Sequence, residues 1–161
     1  MRSAAKWLTM GAVGALMMIP VVGTAHDPSD LPKGPIRDRN WLMNDLGDQA
    51  ENINDAFDLG DEGFDTEVIA RAAGAIAMSA HRIPNLFPKG STDPKSRALP
   101  AIWENWDKFT ALAKQLEDQA FKLSQAAGAE DDENLKEKST KLFATCKTCH
   151  EQFRKPSDKK K

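Results

Sequence analysis

The feature that most restricts how this chain can fold is Cys146-Lys147-Thr148-Cys149-His150, which contains its only two cysteines. On a helix, residues at i, i+3 and i+4 leave from one face, so both sulfurs and the imidazole must meet one object. Cys-x-x-Cys-His is the attachment pattern of a c-type haem: the thiols add to the haem vinyl groups and the histidine ligates the iron. A redox dithiol would call for a strand-helix setting of the thioredoxin type, and nothing near the motif has a strand pattern. Zinc usually needs a fourth ligand, and His26 and His81 have no ligand-like neighbours in the sequence.

The beginning of the chain supports the haem reading. Arg2 and Lys6 precede an apolar run from Met10 to Val22 that ends in Gly23-Thr24-Ala25. A charged start, a short apolar middle and small residues before the cut make residues 1–25 a signal peptide, too short in its apolar part for a spanning anchor. Because c-type haem is attached outside the bacterial cytoplasm, the expected location is the periplasm, with no membrane insertion after cleavage. Cleavage removes two cations and no anions, which takes the formal charge from −2 to −4. That acidity argues against nucleic acid or an anionic membrane as a partner.

The rest is one domain with enough apolar residues, 40% of the chain, for a single core. Residues 26–36 hold Pro28, Pro32, Gly34 and Pro35 and read as an extended leader. Over 37–57, Met43, Leu46, Ala50, Ile53 and Phe57 recur at helical spacing. A second helix is predicted over 65–82, with alanines small enough to approach a flat haem or another helix closely. Five prolines and glycines between Pro84 and Pro100 mark a loop that is long for a bundle. The third helix, over 100–127, carries Trp103, Trp106, Phe109, Ala113, Leu116, Ala120 and Leu123 and closes at Gly128. The fourth, over 131–155, puts Leu135, Leu142, Cys146, Cys149 and Phe153 on one stripe, which turns the haem motif to the core. The expected fold is all-α, an antiparallel four-helix bundle over 37–155, with 156–161 a solvated basic tail.

Three stretches resemble the class II c-type cytochromes, the family of cytochrome c' and its low-spin relatives. They are Cys146-Lys-Thr-Cys149-His150-Glu-Gln-Phe153-Arg154, Ile83-Pro-Asn-Leu-Phe87-Pro-Lys-Gly90 and Ile102-Trp103-Glu-Asn-Trp106-Asp-Lys-Phe109. The haem motif lies at the C-terminus, whereas the common small cytochromes c carry it near the N-terminus. The resemblance implies one haem c per chain, attached covalently through Cys146 and Cys149 with His150 on the iron. It also implies redox proteins as partners and, because the family often forms homodimers, pairing of two chains.

Members of the family differ at the sixth position on the iron, which by similarity falls on the first helix, at Met43. Trp41-Leu42-Met43-Asn44-Asp45-Leu46-Gly47 looks like the methionine-ligated, low-spin branch, and Gly47 at i+4 would leave space for the haem plane. The alternative is that Met43 is core filler, as methionine suits irregular gaps. The protein would then be a five-coordinate, high-spin cytochrome c' that binds nitric oxide or carbon monoxide. Met78 is the weaker candidate ligand. Arg39, one turn before Met43, resembles an arginine that the family keeps near the distal haem side, where it could meet a propionate or an anion; otherwise it is a solvated helix-start residue. Arg154, at i+4 from His150, stands where its charge would make the imidazole less electron-donating and raise the potential. Trp103, Trp106, Phe87 and Phe143 read as core and haem wall, and His81 as surface. The expected activity is one-electron transport without enzymatic turnover, since no acid-base pair or nucleophile accompanies the motif.

Overall fold

The computed structural model describes residue 31 and residues 33–58, 63–129 and 132–156. The signal peptide, residues 26–30 of the leader and the tail beyond 156 lie outside the described residues. Four long helices form the bundle: α1 (Pro35–Phe57), α2 (Thr66–Arg82), α4 (Trp106–Gly128) and α5 (Asp132–Phe153), with a single turn, α3 (Ala101–Glu104), ahead of α4. Among the described residues no helix is long and apolar enough to cross a membrane.

Helix α1 begins two residues earlier than expected, because Pro35 occupies the first helical position, where its missing N–H costs nothing. Its stripe divides in two. Leu42, Ile53 and Ala56 are buried in the bundle core, whereas Met43, Leu46 and Ala50 line a cavity. Helix α2 is capped by Asp65, whose carboxylate accepts from the Val68 N–H at 2.9 Å. Helices α2 and α4 form the most extensive pair, antiparallel, with Ser124 Oγ donating to Ala70 O at 2.8 Å and His81 beside Glu117 further along. The buried alanines Ala72, Ala73, Ala77 and Ala80 serve the core of the bundle, and only Ile76 of α2 reaches the cavity wall. A haem-facing role for them therefore gives way to the other use of small residues, close approach of two helices.

A Cβ built on Gly74 in the middle of α2 would meet Ser124 Oγ at 3.4 Å, ordinary contact. Gly74→Ala is therefore expected to raise the unfolding free energy by about 0.5–1 kcal/mol through reduced backbone entropy, read as a higher denaturation midpoint.

The predicted third helix is interrupted at Asn105, whose φ of −126° and ψ of 47° leave the helical region. The asparagine side chain offers the backbone a local alternative: Nδ2 donates to Ala101 O at 3.0 Å, where the backbone N–H of the same residue also bonds. After this break Trp106 lies on the outside, its ring 5.6 Å from Phe109, while Trp103 donates its indole N–H to Phe87 O and Pro88 O. Neither tryptophan lines the cavity: of the four aromatics expected in core and haem wall, Phe87 and Phe143 line it, Trp103 packs against the core and Trp106 meets neither expectation. Helix α5 ends at Phe153, two residues short of expectation, because the chain leaves it to pair with the 96–99 loop. Leu99 N donates to Phe153 O at 3.0 Å, Lys155 N to Arg97 O at 2.7 Å, and Ala98 and Arg154 form an isolated antiparallel bridge.

Candidate haem-binding site

The closely packed helix pairs are α1 with α2, α2 with α4 and α4 with α5. Helices α1 and α5 are not such a pair; between them lies a cavity of about 330 Å³. Helix α5 contributes Cys146, Cys149 and His150 to its wall from one face, α1 contributes Arg39, Met43 and Gly47, and Arg154 follows from beyond the end of α5. All six candidate residues thus line one cavity. Met78, 75% exposed, and His81, exposed beside Glu117, do not.

The two cysteines form no disulfide and are half-buried against the core. Burial pushes the Cys149 thiol up to about 11, with the Cys146 sulfur adding to the effect and Arg154 opposing it; burial raises Cys146 as well. His150 is pushed down to about 4 by burial, then by the charges of Arg154 and Arg97. At neutral pH the imidazole is consequently uncharged and keeps a lone pair for a metal. Among the described residues no three His, Cys, Asp or Glu side chains come together as a self-contained metal site.

The remaining wall tests what kind of group the cavity suits. Its apolar part includes Phe87, Phe109 and Phe153, whose rings stand edge to face at 4.9 and 5.5 Å. Its charged side chains are Arg39, Arg97 and Arg154, with no Asp or Glu. A large flat apolar group that carries carboxylates and a metal fits such a wall: apolar faces for the ring, guanidinium groups for the acids, an imidazole and a thioether for the metal. Gly47 agrees, since a Cβ added there would meet nothing of the protein within 4 Å. The chain's own packing does not require a glycine at that position.

Arg39 is not a solvated helix-start residue. It is only 4% exposed, donating from Nη1 to Ser91 Oγ at 3.0 Å and from Nη2 to Ser91 O and Ser96 Oγ, both at 2.8 Å. Its guanidinium also lies over the Phe87 ring, 4.8 Å from the centroid. Burial lowers its pKa and Asp93 counters this. Its serine partners escaped sequence reasoning, because two serines in a proline-broken loop carry no periodicity.

The family model described as Cytochrome C' matches residues 34–154. Cytochrome c-554 of Cereibacter sphaeroides is 41% identical over 95 residues, 56% of this chain and 61% of that protein, so the match spans less than two thirds of the relative. Cytochrome c-556 of Agrobacterium tumefaciens is 32% identical over 122 residues, 75% of this chain and 97% of that protein. Among solved structures, cytochrome c' from Rhodopseudomonas palustris superposes with a TM-score of 0.70 at 30% identity, covering 79% of this chain and 100% of its own. A helical bundle with a cationic, apolar cavity at a Cys-x-x-Cys-His motif, matched by that model over most of its length, belongs to the cytochrome c' family of class II c-type cytochromes.

Proposed function

We propose that the protein is a periplasmic one-electron carrier in which His150 and Met43 would both ligate the iron of bound haem. As a member of its family the chain is a monohaem c-type cytochrome that binds haem c covalently through Cys146 and Cys149. The observation that carries the finer reading is the place of Met43: half-buried, on the helix facing α5, in the wall of the cavity that the thiols and the imidazole share. Bound haem supplies the reversible Fe(III)/Fe(II) couple. The chain's residues set the conditions. His150 offers a neutral nitrogen and Met43 a thioether, a pair that favours the ferrous state. Phe87, Phe109 and Phe153 would shield bound haem from water, and Arg39, Arg97 and Arg154 would supply positive charge for its carboxylates. Arg154 and Arg97 already act on His150 in this geometry, which supports the reading that Arg154 weakens the imidazole as a donor and raises the potential. The natural partners are redox proteins, and the protein itself turns over no substrate.

The deciding experiment is the absorption spectrum of the reduced holoprotein with and without carbon monoxide. A low-spin spectrum that the gas leaves unchanged supports the carrier. A second reading, an open sixth position that takes nitric oxide or carbon monoxide, is favoured by the match to a family named for cytochrome c'; a high-spin spectrum that converts readily would establish it.

Two chains are proposed to pair through α1 and α2. Trp41 is 55% exposed on α1 and Met78 is exposed on α2, and Ser79 Oγ donates to Asp45 Oδ2 to join these two helices. Sedimentation should show a dimer that Trp41→Glu dissociates; a monomeric parent would refute the pairing.

A further inference from the structure

The segment from Phe87 to Leu99 ties α1 to the C-terminal end of α5, and Ser96 is where the two ties meet. Its side-chain oxygen accepts from Arg39 Nη2 at 2.8 Å, which holds α1 one turn before Met43. Its backbone carbonyl accepts from Lys155 Nζ at 2.9 Å, just past the end of the helix that carries His150. The second tie is reinforced by Arg97 Nη2 on Lys155 O at 2.8 Å and by the pairing of 97–99 with 153–155. The first is reinforced by both Arg39 bonds to Ser91. Since α1 and α5 do not pack closely on each other, the separation of their cavity faces at this end is not fixed by side-chain interdigitation. Hydrogen bonds through this loop span the gap instead, and Ser96 is the residue of it bonded to both sides.

We infer that Ser96 and Arg39 are positioning residues for the sixth iron ligand: the Arg39–Ser96–Lys155 strap holds the Met43 turn of α1 at a fixed distance from His150. The inference rests on Met43 being that ligand. Arg39 suits the task better than lysine would, because its planar fork grips a hydroxyl and a carbonyl of the loop at once and keeps its charge when buried. An isolated cation in this position would be expelled to solvent; three acceptors and an aromatic face keep it inside. With the Ser96 hydroxyl removed, the first two turns of α1 keep only the Ser91 bonds to this loop and are held less firmly. The Met43 thioether would then be available to bound haem for a smaller fraction of the time, and outside ligands would gain in proportion.

The test is a double-mutant cycle on the haem-loaded full chain with Ser96→Ala, Met43→Ala and both together, with carbon monoxide as the probe. Ser96→Ala alone should speed binding to the ferrous protein by roughly three- to tenfold, and should not change the rate when Met43 is already alanine, because no thioether is left to position. Arg39→Lys, which keeps the charge and loses the fork, should act in the same direction. Amide hydrogen exchange should quicken over residues 36–44 and stay unchanged in α4 in the Ser96→Ala protein, a readout independent of gas binding. Equal acceleration by Ser96→Ala in both backgrounds would make the strap a mere lid over the cavity and overturn the inference. A parent that Met43→Ala leaves unaltered defeats the ligand reading itself, and the inference with it. A parent altered by Met43→Ala but not by Ser96→Ala defeats the positioning role alone.

Discussion

A chain with Cys146→Ser and Cys149→Ser is expected to carry no covalent haem and to fail to reach a rigid fold. The first half follows from chemistry, since serine hydroxyls do not replace the thiols whose sulfurs would form the thioether bonds. The second follows from the cavity. Without haem the cavity of about 330 Å³ between α1 and α5 stays unfilled, and its wall loses the contacts that the group would make. A domain of this size is stable by only about 5–15 kcal/mol in total, so the loss of so large a packed group is a large part of the whole. The apolar lining, Phe87, Phe109 and Phe153 among it, would also face water. Far-ultraviolet circular dichroism should retain helix while the near-ultraviolet signal of the aromatic cluster collapses and a hydrophobic dye binds. Staining for haem on a denaturing gel checks the attachment. A mutant with covalent haem, or one that unfolds as cooperatively as the parent, would contradict the expectation.

The helical stripes were legible because burial in a bundle imposes the period of the helix, and Asp65 and Gly128 marked ends within a residue, whereas Pro35, read as part of an extended leader, is the first residue of α1. The Cys146, Cys149 and His150 face was legible for the same reason, three chemistry-bearing residues at one helical spacing. Periodicity could not show the break at Asn105, since Trp103 and Trp106 keep their spacing across it while the backbone changes direction. Nor could it separate the two uses of apolar residues on α1, where Leu42, Ile53 and Ala56 fill the core and Met43, Leu46 and Ala50 face the cavity. Both sets are apolar, and which neighbour each meets depends on elements remote in sequence. The alanines of α2 illustrate the same ambiguity, because haem and helix impose one size limit. The strap from Phe87 to Leu99 was hidden most completely. Its content is hydrogen bonds from Arg39 and Lys155 to residues more than fifty positions away, which leave no local pattern.

Met43→Ala is expected to leave covalent haem in place and change almost everything else about the iron. The side chain is half-buried in the cavity wall and its removal deletes a thioether without touching Cys146, Cys149 or His150. The lost packing itself is modest, about 2–3 kcal/mol for a methionine truncated in a cavity that already has free volume. The chain should therefore still fold around its haem. The potential should fall, because a thioether favours the ferrous state; a shift on the order of 0.1–0.2 V is a reasonable part of the roughly 0.8 V span that axial ligands command. Binding of carbon monoxide should strengthen in proportion to the sixth position set free. If Met43 holds that position for all but about one per cent of the time, the gain is about 100-fold. Spectroelectrochemistry and stopped-flow mixing on the same two proteins measure both quantities. The two must move together, since one thioether is the cause of each. A mutant with the parent's potential and the parent's affinity for the gas would return Met43 to the role of core filler and make the open-site reading the better one.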